Sequence, residues 1–158
     1  MELFLIRHAL AESVSHDGTD ASRSLTVEGV DRFREVTRAL ERLGIGLDLV
    51  LHSPLRRCVQ TAALLEPVTS GPIREETGLA APPAEALLSA VRGERVALVG
   101  HEPWMSEMVG WLCGARGAFA LRMGKGTVAW LEGQARPGSM RLVGLMTARM
   151  ARTLINPP

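Results

Sequence analysis

The sequence predicts an α/β protein, a three-layer α/β/α sandwich around a mostly parallel central sheet, on three observations. Two uninterrupted apolar runs of strand length, 2–7 (ELFLIR) and 95–100 (RVALVG), lack the polar alternation of a one-sided sheet and read as strands buried on both faces. Between the strand-like runs lie segments whose apolar residues recur every three or four positions, the alternation that builds a parallel sheet covered by helices. The length, 158 residues, allows one domain with a sizeable core and not comfortably two, so a single domain over 1–158 is expected.

The first strand, 2–7, leads into 9–25 (ALAESVSHDGTDASRSL), a stretch without period, rich in Ser, Asp and Gly, that reads as a loop. Thr26 is placed to cap a helix with Val27, Val30, Phe33, Val36, Leu40 and Leu43 at helical spacing and Gly44 as its stop. LDLVLH (47–52) is the second strand. Ser53 and Pro54 read as the cap and first residue of the next helix, whose stripe is Leu55, Cys58, Val59, Ala62 and Leu65. Beyond Pro67 the text is turn-like, with a short strand at 73–75. Pro83 opens a helix through Val91, and the 95–100 strand follows. Pro103 then starts a helix with Trp104, Met105, Met108, Trp111 and Leu112 inside. After Gly114, strands are expected at 118–122, 126–132 and 140–146, with RPGS (136–139) as a tight turn, so the last third adds an antiparallel edge. Trp111, Met108 and the final LMTARMARTLINPP suit core packing or a dimer surface equally, leaving monomer and homodimer both open.

Composition excludes several classes. Eighteen Lys plus Arg against seventeen Asp plus Glu give a net charge of +1 with no long basic run, so no nucleic acid partner is expected. The N-terminal apolar run is too short for a secretory signal, and nothing approaches the roughly 20 apolar residues of a membrane span, so the expectation is a cytoplasmic protein without a membrane partner. Cys58 and Cys113 lack a CxxC spacing and read as small hydrophobes in a reducing compartment.

Three strands share one detail at their carboxyl ends. The first ends at Arg7 and His8, the second at His52 and Ser53 with Arg56 and Arg57 one helical turn on, and the third at Gly100, His101 and Glu102. In open α/β sheets ligands bind beyond the carboxyl ends of the strands, so these clusters would face one crevice. Imidazoles, guanidiniums and a helix N-terminus together make a donor-rich cationic cup whose natural guest is a phosphoryl group. Arg7 would hold it and His8 react with it. His16 reads as surface, and His52 as rim or structure. MGKGT (123–127) departs from a phosphate-binding loop, because Gly126 follows Lys125 where Ser or Thr belongs and Phe119 stands where a Gly is needed. GIG at 44–46 lacks the third glycine of a dinucleotide fingerprint, and no HExxH or paired CxxC marks a metal site, so neither cofactor nor metal is expected.

LIRHA (5–9), LTVEG (25–29), SPLRRCVQTA (53–62) and VGHEP (99–103) together resemble the histidine phosphatase superfamily, with its phosphoglycerate mutase-like fold, and most of all its small SixA-type phosphohistidine phosphatase branch. The resemblance continues through KGTVAWLE and RPGSMRLVGL. It implies a core of Arg7, His8, Arg57 and His101, selects Arg57 over Arg56, and places Ser53 and Thr61 to orient Arg57, with Ser53 also binding substrate. Neutral His8 would attack phosphorus in line to give a phosphohistidine intermediate, while Arg7, Arg57 and His101 stabilise the equatorial oxygens. One ring nitrogen of His8 must then be free and the other held, by a backbone carbonyl of the neighbouring loop.

Larger members use a carboxylic acid to protonate the leaving group; the candidates here are Glu75 and Glu76, for which surface salt-bridging is the competing reading, and more remotely Glu12. A chain of 158 residues leaves no room for a substantial lid, and an open cup suits phosphohistidine on a protein of the phosphotransfer type. The alternatives are a small phosphate ester as substrate, or a silent module that only recognises phosphate. His52 and Trp104 depart from unremarkable residues beside the motifs, and Trp104 is expected to pack.

Overall fold

The structure, a computed structural model describing residues 1–115 and 121–156, runs β1 (Glu2–Arg7), α1 (Val27–Arg42), β2 (Leu49–His52), α2 (Arg56–Ala63), β3 (Ile73–Glu75), α3 (Glu85–Leu88), β4 (Arg95–Gly100), α4 (Trp104–Leu112), β5 (Val128–Gly133), β6 (Met140–Met146) and α5 (Ala148–Ile155). Two 3₁₀ turns, Glu66–Val68 and Thr77–Ala80, flank β3. The strands form one sheet in the order β3-β2-β4-β1-β5-β6. β3, β2, β4 and β1 are mutually parallel, β5 runs antiparallel to β1, and β6 antiparallel to β5. The expected antiparallel edge is therefore one reversed strand, β5, while the outermost strand β6 runs with β1.

Alternation along each buried strand divides the core into two layers. Phe4 and Ile6 of β1 cluster with Phe33, Val36 and Leu40 of α1, Cys58 and Ala62 of α2, and Ala151 of α5. Leu3 and Leu5 cluster with Leu87 and Leu88 of α3 and with Met105, Met108, Val109 and Leu112 of α4. The continuous apolar runs are thus the inner layer of a sandwich, as expected.

Thr26 caps α1, its Oγ1 accepting the Gly29 N–H at 2.9 Å. Gly29 itself is set by close approach: an added Cβ would lie 2.0 Å from the Leu10 carbonyl oxygen, so the LTVEG glycine lets α1 press against the loop that follows β1. Val27, expected on the apolar face, is 81% exposed, because the first helical residue projects past the sheet and the buried face starts further along.

Other boundaries move for local reasons. β2 begins at Leu49, with Leu47 in an isolated bridge to Thr69. α2 begins at Arg56 with Leu55 as its cap; Ser53 lies outside the cap position, its hydroxyl meeting His101 Nε2 at 2.7 Å and accepting the Leu55 N–H only at 3.5 Å. Val59 lies on the exposed side of α2. The helix expected from Pro83 to Val91 shrinks to the single turn of α3. Of the strand expected at 118–122, residues 118–120 lie outside the described residues, and Leu121 and Arg122 belong to no strand. β5 starts at Val128 rather than 126, because Gly126 takes φ +73° and turns its N–H onto the carbonyls of Arg7 and His8. α5, not anticipated as a helix, is capped by Thr147 and lies along α1. Among the described residues no helix is long and apolar enough to cross a membrane.

Candidate active site

β2, β4 and β1 are neighbours in the sheet, so their carboxyl ends set Ser53, His101 and His8 side by side. The backbone locks them there: the His8 N–H donates to Gly100 O at 3.0 Å and the Ser53 N–H to Val99 O at 3.0 Å. Strand alternation sends the Arg7 side chain toward the α4 layer and His8 toward α2.

His8 is 5% exposed, and its Nδ1 lies 2.7 Å from the carbonyl oxygen of Ala9. A carbonyl only accepts, so Nδ1 carries the proton and Nε2 keeps its lone pair. Burial, helped by His101 and the guanidiniums of Arg57 and Arg7 and opposed by the Ala9 hydrogen bond, pushes the His8 pKa down to about 3. The His101 ring centroid is 5.4 Å from that of His8. Its Nε2 is 2.7 Å from Ser53 Oγ. Beneath the ring, Cys58 Sγ sits 3.5 Å from Nε2 and 3.6 Å from the Gly100 carbonyl. Burial first and Arg57 second push His101 down to about 4, so both imidazoles are neutral at neutral pH. Burial pushes the Cys58 thiol up to about 12.

Arg57, in the first turn of α2, is 5% exposed, whereas Arg56 points to solvent. Arg57 donates from Nη1 to the Asp20 carbonyl at 2.7 Å and from Nη2 to Asp20 Oδ2 at 2.9 Å. The other Asp20 oxygen, Oδ1, forms an ion pair with Arg23, whose Nε lies 2.9 Å away without hydrogen-bond geometry. Burial opposes ionisation of Asp20, but the hydrogen bond and charge of Arg57 outweigh it and hold the carboxyl below its ordinary range. Thr61 does not orient the guanidinium: its hydroxyl donates to the Arg57 carbonyl at 2.6 Å and accepts the Ala9 N–H at 3.1 Å, tying α2 to the nucleophile's loop. Ser53 likewise serves His101 rather than Arg57.

Arg7 donates from Nη1 to the Met123 carbonyl at 2.7 Å. The Met123 N–H donates in turn to Ser106 Oγ at 3.2 Å, and that hydroxyl donates to the Glu102 carboxylate at 2.8 Å. This chain joins the start of α4 to Arg7. Desolvation lowers the Arg7 pKa, with the Glu102 charge opposing it. The Nε atoms of Arg7 and Arg57 are buried without a partner, donors that an oxyanion would satisfy.

The first sequence candidates for a proton donor, Glu75 and Glu76, stand at the carboxyl end of β3, beside the end of β2. Glu75 is exposed on the outer strand β3, and Glu76 Oε1 accepts the Gly78 N–H at 3.0 Å, capping the turn after it. Neither pairs with a cation among the described residues, so the salt-bridge reading is corrected: Glu76 is a cap. Glu12 and His16 are exposed. His52 is buried and repeats the His8 arrangement, its Nδ1 donating to the Ser53 carbonyl at 3.0 Å. Trp104 is half-buried in the first turn of α4. Asp20, Arg23, Glu102 and Ser106 were not singled out by sequence; only the position of Glu102 directly after His101 hinted at a role. Among the described residues no three His, Cys, Asp or Glu side chains gather as a metal-binding group.

Comparison with known proteins bears on family and fold. Over 115 residues, 68% of this chain and 70% of the relative, it is 33% identical to an uncharacterized protein of Picosynechococcus sp.. Its fold overlays the protein histidine phosphatase SixA complexed with tungstate at a TM-score of 0.80, with 22% identity and coverage of 94% and 98% of the two chains. It overlays the putative phosphohistidine phosphatase SixA of Nakamurella multipartitia at 0.74, with 25% identity and coverage of 92% and 94%. The profile of the histidine phosphatase superfamily, branch 1, matches residues 3–81, half of the chain, from the first strand past the arginine-bearing helix. The chain therefore belongs to the histidine phosphatase superfamily, on the fold of its SixA-type branch.

Proposed function

We infer that this phosphatase hydrolyses phosphohistidine on a protein through a covalent phosphoenzyme at His8. The carrying observation is a neutral, buried imidazole with Nε2 unprotonated, set among Arg7, Arg57 and His101. Nε2 attacks phosphorus while the P–N bond to the substrate imidazole breaks, and the departing ring takes a proton from solvent. Water then cleaves the new P–N bond, releasing inorganic phosphate and free His8. Arg7, Arg57 and His101 donate to the equatorial oxygens, and Ser53 holds His101.

The choice of phosphohistidine over an ester rests on the carboxylates. Asp20 is paired with two arginines, Glu102 accepts from Ser106, and Glu76 caps a turn. Glu75 is exposed at the end of β3 without an ion-pair partner among the described residues, and an imidazole leaves with less assistance than an alkoxide. Purified protein assayed against a phosphohistidine-bearing phosphotransfer protein and a panel of sugar phosphates tests this directly. The expected result is preference for the phosphoprotein; preferential hydrolysis of a sugar phosphate makes it a small-ester phosphatase, and phosphate binding without turnover makes it a recognition module.

The lowered imidazole pKa carries a further expectation. An ordinary histidine would be protonated as pH falls through 6.5, but His8 at about 3 keeps its lone pair well below that. Imidazole ¹⁵N spectra at pH 5 should show His8 as the neutral Nδ1–H tautomer, and a midpoint near 6.5 would contradict the buried-nucleophile reading. By linkage, stability declines as pH drops from 6.5 toward about 4, the window in which the unfolded chain takes protons that folded His8 and His101 refuse.

A further inference from the structure

MGKGT (123–127), not used in the proposed chemistry, carries the only lysine of the chain. Its backbone is fixed, the Gly126 N–H lying 3.1 Å from both the Arg7 and the His8 carbonyl oxygens, while the Lys125 side chain is exposed. Lys125, Arg32, Phe33, Gly126 and Ala9 wall a cavity of about 270 Å³ that opens directly beside the loop following His8. Sharing Arg32 and Ala148 as common walls, a second cavity of about 420 Å³ continues between α1 and α5 past Glu35, Arg149 and Arg152. The two adjoin at Arg32 and Ala148 and are taken together as a channel.

The channel is basic in a chain whose overall charge is only +1. It presents four cations. Arg32 pairs with Glu28 and Arg152 with Glu35, whereas Lys125 and Arg149 pair with no carboxylate among the described residues. Of the unpaired cations, Lys125 lines the first cavity and Arg149 the second, next to the shared wall Ala148. Glu35 lines the second cavity and Glu28 meets Arg32 from outside the lining, so the charge is graded, suited to a segment with carboxylates at defined positions more than to the uniform charge of a nucleic acid or lipid surface. A small phosphate ester held at His8 would not extend along it; a protein carrying the phosphorylated side chain would.

We propose that these adjoining cavities dock an acidic segment of the phosphorylated protein substrate, with Lys125 in the cavity beside the His8 loop and Arg149 in the one between α1 and α5. The proposal rests on the reading that the substrate is a phosphoprotein. The test is the double variant Lys125→Gln, Arg149→Glu. Both residues are exposed, and a carboxylate in the first turn of α5 favours the helix, so the fold is retained. Wild type and variant are assayed, at low and high salt, on an acidic phosphotransfer protein phosphorylated on histidine with phosphoramidate, and on free phosphohistidine.

The expected result is a fall of about five- to tenfold in kcat/KM on the phosphoprotein, carried by KM, with a flatter salt dependence and unchanged activity on free phosphohistidine. No change on the phosphoprotein overturns the docking role alone, and an equal fall on both substrates overturns it too, because the charges then act on the phosphate cup. If wild type turns over free phosphohistidine but not the phosphoprotein, the substrate reading fails and takes the docking proposal with it. Loss of binding to phosphatidylserine vesicles, with phosphoprotein kinetics unchanged, overturns it in favour of a membrane contact.

Discussion

His8→Ala is expected to lower turnover by more than about 10³-fold while leaving the protein folded. The substitution removes the proposed nucleophile, whose Nε2 keeps its lone pair because Nδ1 is committed to the Ala9 carbonyl. What survives is the cationic cup, able to bind phosphate and to assist water weakly. The fold should tolerate the loss: His8 sits at the rim of the sheet, its backbone N–H on Gly100 is retained, and the side-chain bond given up is to the adjacent residue. Acid-stable and acid-labile labelling separate the cases, since wild type should trap an acid-labile phosphoenzyme and the variant none. A variant within tenfold of wild type, folded by circular dichroism, would end the covalent mechanism.

The second large effect is expected at Arg57. Arg57→Ala should cost about 10²- to 10³-fold in kcat/KM, the range for losing one preorganised donor to a developing oxyanion, while Arg56→Ala stays within about twofold. The asymmetry follows from burial: Arg57 is enclosed and held by Asp20, whereas Arg56 is in solvent. Asp20 has an exposed carboxylate that water can solvate once Arg57 is gone, so the loss should appear in kinetics far more than in melting temperature. Arg57→Lys should recover only part of the activity, since an ammonium cannot reproduce the planar fork. The reverse order of the two alanine variants would mean that α2 is turned by one residue from the register described above.

What the sequence disclosed depended on whether a signal was local. β1 and β4 are legible because burial on both faces keeps the residues between Glu2 and Arg7, and between Arg95 and Gly100, apolar, so the first polar residues after Ile6 and Val99 are the site itself. α1 is legible from its cap and its spacing. α5 escaped because its inward residue Ala151 adds little hydropathy, and its neighbours on that side are split between Ala148 and Ile155. Ser53 was misread as a helix cap because sequence shows a hydroxyl before a helix but not the imidazole that claims it from another strand. Asp20 was hidden for the same reason: it lies in an aperiodic loop, and its meaning depends on how that loop folds back over α2, 37 positions away. Helical phase alone left Arg56 and Arg57 equivalent, and family resemblance made the choice that burial now supports.

The sulfur under His101 bears on how this enzyme tolerates oxidants. Fully enclosed, and with its proton held to an alkaline pH, Cys58 offers no thiolate to peroxide or to alkylating reagents. Peroxide treatment is therefore expected to leave Cys58 unmodified, which thiol labelling after unfolding checks, in contrast to the exposed thiolate on which cysteine-based phosphatases depend.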